Sequence, residues 1–202
     1  MTRDRILDAA ALEIERNGLT QFRVKRVASE AGISVALLYS YFDDREALIA
    51  ATIVHRFRQV LLGTAEIFTT PLRSVENADD LRAALKIMID DAQLPDRTEA
   101  RILRIEGISF AHHNPSASAG ILAAKAEASD LIIKCVQPLV DKNLLVEGMS
   151  GVAFARIWYA LFFGQISLEG EHALSIDIDD WLTALNVLAG AMVKSEVHQP
   201  VR

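Results

Sequence analysis

Apolar residues recur at helical spacing along almost the whole chain, and Gly, Asn and Pro break the pattern into segments of helix length. The first segment covers residues 3 to 17, where Ile6, Leu7, Ala10 and Ile14 share a face and Asn17-Gly18 supplies residues suited to a C-cap. A shorter repeat follows in Val24, Val27, Ala28 and Ala31. Gly32 can take the positive φ that often ends a helix, and Ser34 is a good N-cap for the next one. Ile33, Leu38 and Phe42 give that next helix an inward stripe, which leaves Val35, Ala36, Leu37, Tyr39, Ser40 and Tyr41 partly or wholly outward. So apolar an outer face is unusual for a solvated helix. Helix, tight turn and helix with such a face form a unit able to enter a major groove. Two-helix hairpins with a glycine turn also occur in all-helical proteins of other kinds, so the pattern by itself leaves both readings open.

Downstream the same pattern predicts longer helices. Leu48, Ile49, Ile53, Phe57, Val60 and Leu61 place a fourth helix from Glu46 toward Phe68, ended by Pro71 and preceded by Asp43 and Asp44, acids favourable beside a helix N-terminus. It is long enough to bridge two domains, or equally to be a long core helix. Leu81, Leu85, Met88 and Ala92 make a stripe before Leu94-Pro95, and Ile102, Ile105, Ser109 and Phe110 make another before Asn114-Pro115. A helix from about Ser116 to Leu139 has Pro138 at its frayed or kinked end, and residues 143 to 151 form a connector. The last two helices span Val152 to Leu168 and Ile178 to Val197, joined by the polar loop EGEHALSID, and both are apolar on more than one face. The fold class is all-α: an N-terminal three-helix head with a helix-turn-helix over residues 1 to 46, then a helical-bundle domain over residues 47 to 202.

Composition narrows this picture. Hydrophobic residues make up 51 % of the 202 and aromatics only 6 %, as expected of a helical core built on Ala, Leu and Ile. No apolar run approaches the ~20 residues of a membrane span, and residues 1 to 5 lead straight into an amphipathic helix, so a soluble cytoplasmic protein is expected. The single cysteine, Cys135, lies in an apolar helical setting that suits a buried structural thiol. The formal net charge of -6 is unevenly placed: residues 1 to 45 hold seven basic and seven acidic residues of the chain's 21 and 27. Between residues 16 and 42, Arg16, Arg23, Lys25 and Arg26 meet only Glu30 as an acid. A basic island on an acidic chain favours local anion binding over general adhesion to phosphate.

With RILDAA, Asn17-Gly18, VKRVASEAGIS and LLYSYFDDREAL in register, the first fifty residues resemble the TetR family of transcriptional regulators. The resemblance implies a three-helix DNA-binding domain followed by a helical domain that dimerises and binds a small inducer. It also implies that Tyr39 donates to phosphate, that Arg45 stands where a basic residue does the same, and that Lys25 reaches a phosphate or a guanine edge. Two departures matter. Arg23 stands where a capping Thr or Ser is usual, and it can reach phosphate but cannot cap. Ser34-Val35-Ala36-Leu37 replaces the common Ser-Lys-Gly-Thr, so Val35, Ala36 and Leu37 are left to meet thymine methyls by apolar contact, with Ser40 and Tyr41 beside them.

Chemistry is sparse elsewhere. His112 and His113 adjoin each other and point in different directions on a helix, a poor metal site, and Glu169 to His172 forms a lone Glu-x-x-His in a loop. No phosphate loop, nucleophile elbow or zinc-spaced cysteine set occurs, so neither metal, cofactor nor catalysis is expected. A mainly apolar ligand pocket is expected near Phe110, Trp158 and Phe162, with Arg104 or His113 orienting a polar end. The reading is a homodimeric repressor, paired through its last two helices and released from double-stranded DNA by a small, largely apolar inducer. The alternative is an all-helical enzyme or small-molecule carrier without DNA-binding activity.

Overall fold

Helix α1 (Thr2–Asn17) buries Ile6, Leu7, Ala9 and Ala10, and ends where the Gly18 amide donates to the Ile14 carbonyl at 2.7 Å. Helix α2 (Val24–Glu30) is followed by Gly32 at φ +63, a left-handed turn that a Cβ would strain. The chain then reaches Ser34, whose hydroxyl accepts from the Leu37 amide at 3.1 Å and opens helix α3 (Val35–Tyr39). Leu38 and Phe42 point inward as the stripe requires, meeting Ile6, Leu7, Phe22, Val27, Leu48 and Ile49 in one small core. Asp44 caps helix α4 (Arg45–Thr69) by accepting from the Ala47 amide at 2.7 Å.

The computed structural model describes residues 2–94, 96–165 and 177–195. Among them the remaining helices are α5 (Ala78–Ala92), α6 (Asp96–His113), α7 (Pro115–Asp141), α8 (Gly151–Gly164) and α9 (Ile178–Met192), with a 3₁₀ turn, Thr70–Ser74, carrying Pro71 after α4. The architecture is all-α. The chain divides into two units, Met1–Leu61 with Leu103–Ala126, and Leu62–Ile102 with Glu127–Arg202. Helices α4, α6 and α7 each contribute to both units.

In the first unit, α6 and α7 lie against α4 through glycine. A Cβ on Gly107 would stand 2.5 Å from the ring of Phe57, and one on Gly120 would stand 2.6 Å from a methyl of Val54, so these backbones approach as closely as atoms allow. Phe110 packs against the head's core from the same side of α6.

The second unit has its own core, in which Leu81, Leu85 and Ile89 of α5, Val136 and Leu139 of α7, Phe154 and Trp158 of α8, and Leu185 of α9 are buried together. Side-chain caps start its helices. Asn77 accepts from the amides of Asp79 and Asp80 at 2.9 Å each, Ser150 accepts from Ala153 at 3.1 Å, and Asp177 accepts from Asp179 at 3.0 Å.

Three expectations need correction. The stripe on α6 is inverted: Ile102 and Ile105 are 44 % and 40 % exposed and Ser109 is exposed, whereas Arg101 and Arg104 are buried. An arginine carries an apolar stem as long as a leucine, and the head of Arg101 donates locally, to the Ala92 carbonyl at 3.1 Å and the Thr98 hydroxyl at 3.3 Å. Helix α9 stops at Met192 rather than continuing to Val197. Val193 turns extended and bridges Leu145, with Val146 donating to the Met192 carbonyl at 2.9 Å and Lys194 to the Leu144 carbonyl at 2.8 Å. Pro138 does not end α7, which runs on to Asp141 because a proline in the last turn forfeits only one bond. The end of the penultimate helix at Leu168, most of the EGEHALSID loop with Glu169 and His172, and Val197 lie outside the described residues.

Candidate nucleic-acid interface

The interface is built on a buried carboxylate. Glu13 of α1 is only 6 % exposed and accepts from three donors at once: Arg26 Nε, shared between the two carboxylate oxygens at 2.8 and 3.0 Å, the Arg23 backbone amide at 3.1 Å and Asn17 Nδ2 at 2.9 Å. Arg23 cannot cap α2 with its own side chain, and it makes no cap bond. Glu13 instead accepts from the Arg23 backbone amide and the Arg26 side chain, so α1 and the start of α2 are locked together by charge-assisted bonds. The Arg26 hydrogen bond, the Arg23 amide and the Arg26 charge hold the Glu13 carboxyl below the usual glutamate value against the opposing effect of burial, and the same bond raises Arg26.

On that frame α3 stands outward. Ala36 and Ser40 are exposed, Leu37, Tyr39 and Tyr41 are 43 %, 44 % and 43 % exposed, and Val35 is half-buried against the head's core. Ser34 uses its oxygen as the cap, and the Ser40 hydroxyl donates to the Leu37 carbonyl at 2.7 Å. Arg23 and Lys25 are exposed at the start of α2. Arg45 is more tethered than its assignment to phosphate implies: it donates to the Leu19 carbonyl at 2.8 Å, pairs with Glu46 and lies 5.6 Å over the Phe22 ring. The ten residues from Arg23 to Arg45 assigned to DNA thus all belong to one unit, on or beside α2 and α3.

Sequence reasoning missed Glu13 and Arg26. The signal was present, because residue 13 falls on the buried face of α1 with Ile6 and Ala10, where an acid needs a partner. Arg3, read as a solvated charge or phosphate contact, holds its guanidinium 5.2 Å over the Phe42 ring.

The residues assigned to a ligand belong to two units. Arg104 is buried, Phe110 half-buried and His113 exposed beside His112 in the first, whereas Trp158 is fully buried and Phe162 half-buried in the second. Phe68, Phe162 and Trp158 form an aromatic row, with centroids 6.3 Å and 5.3 Å apart. Among the described residues no group of His, Cys, Asp and Glu is placed to hold a metal, and no helix is long and apolar enough to cross a membrane.

Residues 6–52 match the family model described as bacterial regulatory proteins, tetR family. An HTH-type transcriptional regulator, BetI, from Brucella anthropi is 37 % identical over 60 residues, which is 30 % of this chain and 31 % of that protein. The match therefore spans about a third of the length of such relatives. Solved structures extend the likeness of fold to nearly the whole chain. A Rhodococcus sp. protein placed in the TetR family superposes with a TM-score of 0.63 at 21 % identity, over 96 % of this chain and 98 % of its own. GusR of Salmonella enterica does so with a TM-score of 0.61 at 22 % identity, over 95 % of each chain. The head of the chain thus matches the tetR family of bacterial regulatory proteins over residues 6–52, and the chain as a whole shares its fold with a solved structure placed in that family.

Proposed function

We propose that the chain is a cytoplasmic, homodimeric transcriptional regulator that binds double-stranded DNA through α2 and α3 and acts as a repressor released by a small, largely apolar ligand. The observation that carries the DNA-binding part is the outward face of α3, apolar and aromatic, on a head whose turn and helix starts are fixed by Gly32, Ser34 and Glu13. Tyr39, Lys25 and Arg23 supply contacts to phosphate around it. For dimerisation, α8 turns Val152 and Tyr159 outward, with Tyr159 stacked on Phe163 at 5.9 Å, and α9 turns Val187 and Leu188 outward. An isologous four-helix contact would cover these faces and hold two heads at about the 34 to 36 Å spacing of successive major grooves. The proposed ligand meets the aromatic row at Phe162, which is half-buried and so within reach. No catalysis is proposed, since the family is one of regulators.

A gel shift with duplexes flanking the chain's own gene tests the reading: a discrete complex that survives excess unrelated DNA supports it. Migration of every duplex as free DNA would favour the alternative of a helical enzyme or carrier.

A further inference from the structure

Helix α3 and its flanks lack the side chains that read bases by paired hydrogen bonds. From Ile33 to Phe42 there is no Asn, Gln, Arg, Lys, Asp or Glu, so neither guanine nor adenine can receive a bidentate contact from α3. The two serines are engaged within the helix. The Ser34 oxygen accepts from the Leu37 amide, and the Ser40 hydroxyl donates to the Leu37 carbonyl. What α3 offers a major groove is therefore Ala36 and Leu37, exposed aliphatic carbon at the helix's open end, flanked by two tyrosines suited to phosphate. Only one feature of the major-groove edge rewards an aliphatic partner, the 5-methyl group of thymine. A cytosine methylated at carbon 5 carries the same methyl at the same place in the groove.

Resting on the DNA-binding reading above, we propose that α3 recognises the pyrimidine 5-methyl group itself rather than the base's hydrogen-bonding pattern, so that 5-methylcytosine at a contacted position is read as thymine. Leu37 is the specificity-determining residue. Recognition of this kind makes a site's occupancy respond to cytosine-5 methylation of the DNA, a property that no hydrogen-bond reader of thymine would share.

The probe is a duplex enriched by the full chain from a random-sequence library, measured by fluorescence anisotropy at fixed salt. Each thymine is replaced in turn by uracil, which removes the methyl and leaves the pairing edge intact, and then by cytosine and 5-methylcytosine paired with guanine. The expected result is a loss of about fourfold for uracil or cytosine at each contacted position, the worth of one buried methyl, with 5-methylcytosine restoring most of it. Uracil at positions outside the contact should change nothing. Leu37→Ala should weaken binding to the thymine duplex and bring the thymine-to-uracil ratio toward one, an effect that mere loss of head stability would not produce. Equal affinity for thymine and uracil at every position, or 5-methylcytosine no better than cytosine, overturns the inference while leaving DNA binding intact. Failure to enrich any duplex overturns the DNA-binding reading and this inference with it.

Discussion

Replacing Glu13 removes the carboxylate that ties α1 to the start of α2. Glu13→Ala deletes the acceptor for Arg26 Nε at 2.8 Å, for the Arg23 amide at 3.1 Å and for Asn17 Nδ2 at 2.9 Å. The Arg26 side chain is 44 % exposed, so water recovers much of the ion pair, and the lasting losses are the buried acceptor and the uncapped amide. Hydrogen bonds to a charged group contribute about 1.5 to 3 kcal/mol, so a total near 2 kcal/mol is expected. Glu13→Gln keeps an amide oxygen for Arg23 and should lose less. The pH dependence follows from the lowered carboxyl of Glu13. A group whose folded value is depressed stabilises the fold above its unfolded value, about 4.3, and that contribution fades as pH falls below it through the folded value. Urea unfolding followed by circular dichroism should show wild type and Glu13→Gln differing at pH 7 and converging toward pH 3. A gap that is absent at pH 7, or that persists unchanged into acid, would refute the role given to this carboxylate.

Two glycine substitutions should act with opposite sign. Gly107→Ala drives a Cβ to 2.5 Å from a Phe57 ring that is 1 % exposed, and should destabilise by about 1 kcal/mol after the gain in helix propensity is counted. Gly63→Ala on α4 meets nothing within 4 Å and should stabilise by about 0.5 to 1 kcal/mol; thermal unfolding checks both. Asn77→Ala removes the double cap of α5 and should cost about 1 kcal/mol by the same measurement, with Asn77→Ser recovering most of it. If ligand and operator oppose each other, calorimetric titration of an inducer should show affinity lowered about 5- to 150-fold by saturating operator, and equal affinities would remove the coupling.

The head was legible in the sequence because most of its boundaries are set by local chemistry. Ser34 caps, Gly32 turns and Gly18 closes α1 through contacts that span no more than a few residues. Glu13 was not read, since its partners lie ten and thirteen residues away and only the folded head brings them together. On α6 two stripes competed. Hydropathy favours Ile102 and Ile105, but burial goes to Arg101 and Arg104, whose stems pack while Arg101's head reaches Ala92 and Thr98. The end of α9 was likewise hidden, because Val193 leaves the helix to pair with Leu145, a partner nearly fifty residues distant that no local pattern announces. Trp158 illustrates a different limit: an aromatic at helical spacing suits a pocket wall or a core equally, and burial places it in the core of the second unit.

The central claim is that α2 and α3 bind DNA, and a salt-titrated anisotropy measurement on a duplex flanking the chain's own gene tests it most directly. Wild type should bind with an affinity that falls steeply as salt rises, since phosphate contacts release counterions, and Lys25→Ala should weaken binding and lower the slope by about one. Tyr39→Phe should weaken binding at every salt concentration with the slope unchanged. Binding that is indifferent to both substitutions, or no binding at any salt concentration, would contradict the account.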